Sequence, residues 1–289
     1  MSESSRSPSA EPTITERDML GAMEVLATTE PDPSVLMILT DEEIMGLDGA
    51  SALELLGSPY LDQDAVDRPS SAAAALRSLT ARGLVRPGGE SVEDEGELVS
   101  GSGDGPSRAM QLDRRLAGVV TLRRIPDAMV STSRTLNGGS TTLAHYLFPR
   151  GGVLEEFISV DGFHHFSVPE LETVPDRIRR FVDPFEAAGE DGEPETVTLD
   201  EVARSDDMDD TRSLSVLTAV ADGDGRQATV VATSERVRVL DNGPLGVKVS
   251  PSDERQIADV SSQTLLGVID VMIPRSAEGT DAAGSTSDA

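Results

Sequence analysis

AMVSTSRTLNGGSTTLAHYLFPRGGVLEEFISVDGFHHFSV, residues 128–168, is the stretch on which the fold turns. Tight-turn signals cut it into four short runs. Asn137-Gly138 tolerates positive φ at both central positions of a two-residue hairpin loop. Arg150-Gly151-Gly152 and Asp161-Gly162 supply the other breaks. The runs between them are alternating or β-branched, and loops this short join antiparallel neighbours. The stretch therefore predicts an antiparallel meander. A short helix follows, with Val174, Ile178 and Phe181 on one side and Arg177, Arg179 and Arg180 on the other.

Downstream, the plan recurs. Leu214–Val220 and Ala228–Ala232 flank Asp222-Gly223-Asp224-Gly225, and Arg236–Leu240 precedes a turn at Asp241-Asn242-Gly243. Val247 and Val249 predict a last strand. Pro251–Met272 reads as one helix whose buried stripe is Ile257, Val260, Thr264, Leu265, Val268 and Met272. Residues 117–182 and 213–272 thus share strands joined by tight turns and a closing helix, the pattern of an architectural duplication.

Upstream the chain is helical. Thr15 caps a first helix that places Met19, Met23 and Leu26 on one face. Thr40 and Glu43 form a capping box for helical pieces reaching Leu56. Pro69 opens a helix with Ala72, Ala75, Leu76 and Leu79 at buried-face spacing, Gly83 caps it, and Leu84-Val85-Arg86 leads out as a strand. Val119–Arg123 is β-branched and reads as a strand entering the meander.

These elements give an α+β fold: an N-terminal helical region, then a mostly antiparallel sheet with packing helices and a pseudo-twofold duplication. The expected divisions are a disordered tail at 1–12, a helical region at 13–86, an acidic linker or loop at 87–111, meander plus helix at 112–185, a linker at 186–196, a second α/β half at 197–273 and a disordered tail at 274–289.

The balance of 24 basic to 52 acidic residues, a net charge of −28, repels phosphate backbones and anionic lipid and favours basic partners. Lys248 is the only lysine, an arginine bias expected of a GC-rich genome or of a high-salt cytoplasm. Without cysteine there is no disulfide, thiolate nucleophile or zinc–thiolate site. Aromatic residues make up 3%, too few to favour a base-stacking surface. No apolar run approaches the length of about 18 residues that a membrane span needs, and no segment has the form of a signal peptide, so the cytoplasm is the expected location.

Nothing in the sequence forms a catalytic centre, cofactor site or metal site. His164 and His165 alternate on a strand and cannot share a metal, and with His145 they read as structural histidines. Glu155 and Glu156 alternate in the same way, so they do not form the facing carboxylates of a glycosidase. Asp222-Gly223-Asp224-Gly225 shares the opening of a calcium loop, but Thr233 stands where the twelfth-position glutamate belongs, and a hairpin loop is expected. The glycine pairs precede no phosphate-binding helix.

Two functional readings remain. The segment Leu79-Thr80-Ala81-Arg82-Gly83-Leu84-Val85 resembles the end of a winged-helix recognition segment, which implies DNA contacts from Arg77, Arg82 and Arg86 and a transcriptional regulator with a β-rich sensing or oligomerisation part. Ala81-Arg82-Gly83-Leu84-Val85 after an Ala-rich helix, the meander Val119–Val168 and the helix Pro251–Met272 together resemble the EspG-type chaperones of type VII secretion. That resemblance spans residues 15–273 in order of elements. It implies a non-enzymatic, cytoplasmic adaptor or chaperone that needs no cofactor. Such a protein covers the tips of small helical-hairpin secretion substrates with its sheet and neighbouring loops.

Overall fold

The structure is a computed structural model and describes residues 14–87, 110–198, 200–201, 210–247, 250 and 252–274. The expected tails, most of the acidic linker and Val249 lie outside the described residues.

Helix α1 (Glu16–Leu26) begins at a capping box in which Thr15 and Asp18 bond each other's backbone amides. Its buried face is Asp18, Gly21, Ala22 and Val25, while Met19 and Met23 face outward. Of the face formed by Met19, Met23 and Leu26, only Leu26 packs against the core. The cause is a close helix crossing: a Cβ on Gly21 would lie 2.5 Å from the Arg114 carbonyl, and one on Gly118 2.4 Å from the Gly21 carbonyl. Only two glycines allow the backbones to approach this far.

Strand β1 (Met37–Thr40) leads directly into α2 (Asp41–Asp48), which opens on the capping box of Thr40 and Glu43. Helix α3 (Arg68–Ala81) carries Pro69 in its first turn and buries Ala72 and Leu79. Strand β2 (Val85–Pro87) pairs antiparallel with β3 (Met110–Leu112). Helix α4 (Arg114–Arg124) starts at Asp113, whose carboxylate accepts from the amides of Arg115 and Leu116. Val119–Arg123 is thus helix and not strand. The segment is buried on nearly every side, from Leu116 to Leu122, and a helix apolar all round shows no helical period.

The meander follows as β4 (Ala128–Leu136), β5 (Gly139–Leu147), β6 (Val153–Ile158) and β7 (Phe163–Ser167), then α5 (Val174–Val182). Strand β8 (Glu195–Thr198) precedes a second meander of β9 (Ser213–Ala221), β10 (Asp224–Ala232), β11 (Val237–Pro244) and β12 (Glu254–Asp259), closed by α6 (Ser262–Met272). Asp241-Asn242-Gly243 lies within β11, beside a bulge, and is not a turn; Val247 is in no strand. The long helix expected from Pro251 divides. Ile257 belongs to β12, and Ser261, accepting from the amide of Thr264, caps α6, whose buried side is Leu265, Ile269 and Met272.

All ten large-sheet strands pair antiparallel in the order β1-β7-β6-β5-β4-β9-β10-β11-β12-β8. β1 and β8, of four residues each, form short edges that limit sheet-to-sheet association. Because β1 joins the sheet, the helical N-terminal region does not stand apart from it. At the centre the two meanders meet in the β4–β9 pair. Ala128 faces Ala221, Thr132 faces Leu217 and Leu136 faces Ser213. Under one constant offset Ala128 corresponds to Ser213, Asn137-Gly138 to Asp222-Gly223, and Leu147 to Ala232, so the register maps onto itself. Both turns have positive φ at both positions: 51° and 78° in the first, 52° and 83° in the second.

The fold is α+β with two apolar cores. Helices α1 to α4 cover one face of the first meander, where Leu116 and Val119 meet Tyr146, Leu154 and Phe166. On the opposite face, α5 and α6 pack side by side over Val130, Leu143, Leu217 and Val230.

Candidate functional site

Adjacent residues on β6 organise a polar cluster on each face of the sheet. On the face covered by α4, Glu156 accepts from Arg123 Nε at 2.9 Å, from the Tyr146 hydroxyl at 2.5 Å and from His164 Nδ1 at 2.5 Å. His164 Nε2 donates to Asp41 at 2.7 Å, and the other Asp41 oxygen accepts from the amides of Tyr60 and Leu61. Arg123 also donates to the Ala52 carbonyl. Burial disfavours the charged form of Glu156, but the Arg123 charge and the His164 hydrogen bond outweigh it and hold its pKa below the usual carboxylate range. Burial likewise opposes charge on His164, but hydrogen bonds to Asp41 and Glu156 raise its pKa. An acidic side chain at each ring nitrogen favours the charged form of His164. Asp41, Glu156 and His164 are shut off from solvent, so this cluster clamps α2, α4 and three strands together and offers no place for a substrate.

On the other face, Glu155 accepts two hydrogen bonds from Arg177 of α5, at 2.7 and 2.6 Å, one from His145 Nε2 at 2.9 Å and one from Ser167 at 2.8 Å. Burial raises its pKa, but Arg177 and His145 outweigh burial and drive it far down. Beside this cluster lies a cleft of 440 Å³, lined by Leu143, Phe157 and Phe181, by Arg134, Arg177 and Arg180, and by the acidic side chains Asp32 and Glu155. Arg134 donates from Nη1 to the Phe181 carbonyl at 2.7 Å, and its guanidinium lies 4.1 Å from the centre of the Phe181 ring.

The sequence places Glu155 and Glu156, like His164 and His165, on opposite faces by alternation, and the structure agrees. His145 and His164 are both fully buried, on opposite faces. Asp41 and Arg123 were not anticipated as their partners. The one signal for them is the presence of buried histidines in an acidic chain, which must be paired. Asp222-Gly223 is a hairpin turn, and among the described residues no cluster of three or more histidine and acidic side chains could hold a metal ion.

The three arginines proposed for DNA contact, Arg77, Arg82 and Arg86, are all exposed at or near the C-terminal half of α3. Arg82 is ion-paired with Glu43 of α2. Arg86 borders a 70 Å³ pocket with Arg17, Gln111 and Asp113, and Arg77 is exposed on α3.

Several large apolar side chains face solvent. Met19 and Leu20 are 40% exposed and Met23 is 56% exposed, all on α1. Ile38 of β1 and Phe163 of β7, diagonal neighbours on the outer strands, form a second exposed pair. No helix among the described residues is long and apolar enough to cross a membrane. Neither a scan against protein-family models nor a search of the curated proteins returns a match to this chain.

Proposed function

We propose that this chain is a protein-binding adaptor or chaperone that performs no chemistry of its own. The observation that carries this reading is the outward strip of Met19, Leu20 and Met23. Helix α1 packs through Gly21, Ala22, Val25 and Leu26, which leaves Met19, Leu20 and Met23 for a partner. Methionine suits such a surface because its flexible thioether adapts to varied contours. A net charge of −28 around an apolar strip keeps the chain soluble and selects against acidic partners.

The narrower reading is a cytoplasmic chaperone for helical-hairpin substrates of type VII secretion. It is supported by the order of elements: an N-terminal helical region, a hairpin, and two meanders each closed by a helix. The exposed Ile38 and Phe163 sit on the sheet, where such a chaperone covers its substrate.

A second reading has one specific support. The sequence α1-β1-α2-α3-β2-β3 is the element order of a winged helix, and β2–β3 is a hairpin where the wing belongs. Against it, β1 pairs with β7 in the large sheet, and Arg82 is neutralised by Glu43.

The test is affinity capture from the native host's lysate, with and without nuclease, comparing the wild type with a Met19→Ser, Met23→Ser variant. The expected result is a small helical protein retained through nuclease and lost from the variant. Recovery of specific DNA that disappears at moderate salt would replace this reading with the regulator.

A further inference from the structure

We infer that the outward strip of α1 also pairs with the same strip of a second copy of this chain, antiparallel across a two-fold axis. One consequence, that a second copy and a partner compete for a single face, rests on the adaptor reading; the pairing itself does not.

The strip and the charges beside it share one centre. Met19, Leu20 and Met23 are exposed on one side of α1, and Gly21 lies midway between the two methionines. Arg17 and Glu24 are exposed as well. Seven residues apart in sequence, they fall about 20° short of two full turns and so lie along one flank of the strip. Their midpoint falls between Leu20 and Gly21. A two-fold axis through that point, perpendicular to α1, sets Arg17 of each copy beside Glu24 of the other. It also sets Met23 of each against Met19 and Leu20 of the other. A parallel pair would bring Arg17 to Arg17 and Glu24 to Glu24, and like charges repel.

Both charges are open to such partners. Arg17 makes no ion pair among the described residues. It borders a small pocket with Arg86 and with Asp113, whose carboxylate accepts from the amides of Arg115 and Leu116. Glu24 pairs with Arg114 at 2.6 Å through one oxygen, and its side chain stays 58% exposed. Glu16 falls at the outer end of the overlap, where the facing position on the other copy is the exposed Ala27.

The area sets the strength. Helix α1 has 11 residues and is about 16 Å long. A helix pair of this length covers well below the roughly 800 Å² per partner of a stable interface. The dimer is therefore weak and reversible, which leaves the strip available to a tighter partner.

The test is sedimentation velocity of the purified full chain from about 1 μM to about 1 mM, the range for a weak interface. The wild type is expected to pass from monomer to dimer within it. Arg17→Glu alone and Glu24→Arg alone each set like charges together twice per dimer, and each should weaken association by about tenfold or more. An equimolar mixture of the two variants restores both opposite pairs and should regain the wild-type association. Because the rescue is read in the same two chains, a folding defect in either does not imitate it. A wild type that stays monomeric, a variant that dimerises like the wild type, or a mixture no better than its components would each overturn the pairing. Retention of a helical protein from lysate by a monomeric chain would remove the pairing and leave the adaptor. Dimerisation with rescue, and no partner retained, would uphold the pairing and remove the adaptor.

Discussion

Glu156 and His164 show how much one buried pair can hold. Glu156 neutralises Arg123 and receives His164, which in turn anchors Asp41 at the start of α2. Replacing Glu156 with Gln leaves Arg123 and His164 buried without their main counter-charge, and the expected loss is about 3–5 kcal/mol in urea denaturation. The pH dependence follows from the two directions of shift. Glu155 and Glu156 have folded-state pKa values below their ordinary 4.5, so their stabilisation is complete above 4.5 and is lost as pH falls through the folded values. His164 is raised above 6.5, so its contribution is complete below 6.5 and is lost as pH rises through its folded value. Stability from this cluster should therefore be greatest between 4.5 and 6.5. Denaturation midpoints measured across pH check this, and in His164→Gln the alkaline decline should flatten. Alternation along β6 and β7 reveals which face each of these residues takes. Their partners could not be read in the same way, because His164 and Asp41 are 123 positions apart and Arg123 is 33 from Glu156. Such pairings are set by the way α2 and α4 cross the sheet.

The crossing of α1 and α4 is decided by two hydrogens where other residues have a Cβ. Gly118→Ala adds helix propensity but sets a methyl group 2.4 Å from a backbone carbonyl, so the helices must part. The expected effect is a net loss of about 1–3 kcal/mol in chemical denaturation, the range for overpacking. Gly267→Ala on α6 is the matching control. Nothing lies within 4 Å of its added Cβ, and a gain of up to about 1 kcal/mol is expected in the same measurement. Elements with one wet face were legible in the sequence: the hairpin at Asn137-Gly138, the capped starts of α1 and α2, and the amphipathic α5. Those lacking that contrast were not. Helix α4 is buried almost all round, and Ile257 of β12 and Val260 fall by chance at helical spacing ahead of Thr264 and Leu265, so the strand read as an extension of the α6 stripe. In both cases the start was marked by a cap, Asp113 or Ser261, whose weight the apolar run obscured.

Across the whole molecule, one continuous sheet joins the two meanders through nine-residue strands at its centre. The halves should therefore unfold together. Hydrogen-exchange mass spectrometry near the denaturation midpoint is expected to give β4, β5, β9 and β10 a common opening free energy. A second meander that opens at lower free energy would show that the halves are separate cooperative units. Optical signals alone would not settle this, since the chain has no tryptophan and both tyrosines, Tyr60 and Tyr146, lie in the first half. The self-mapping register of β4 against β9 is the arrangement that two identical chains adopt when they pair across a dyad. Here both halves lie on one chain, so their encounter is tethered and does not weaken on dilution. Nor need the halves be identical in sequence: β4 carries Arg134 where the equivalent place on β9 holds Ala219.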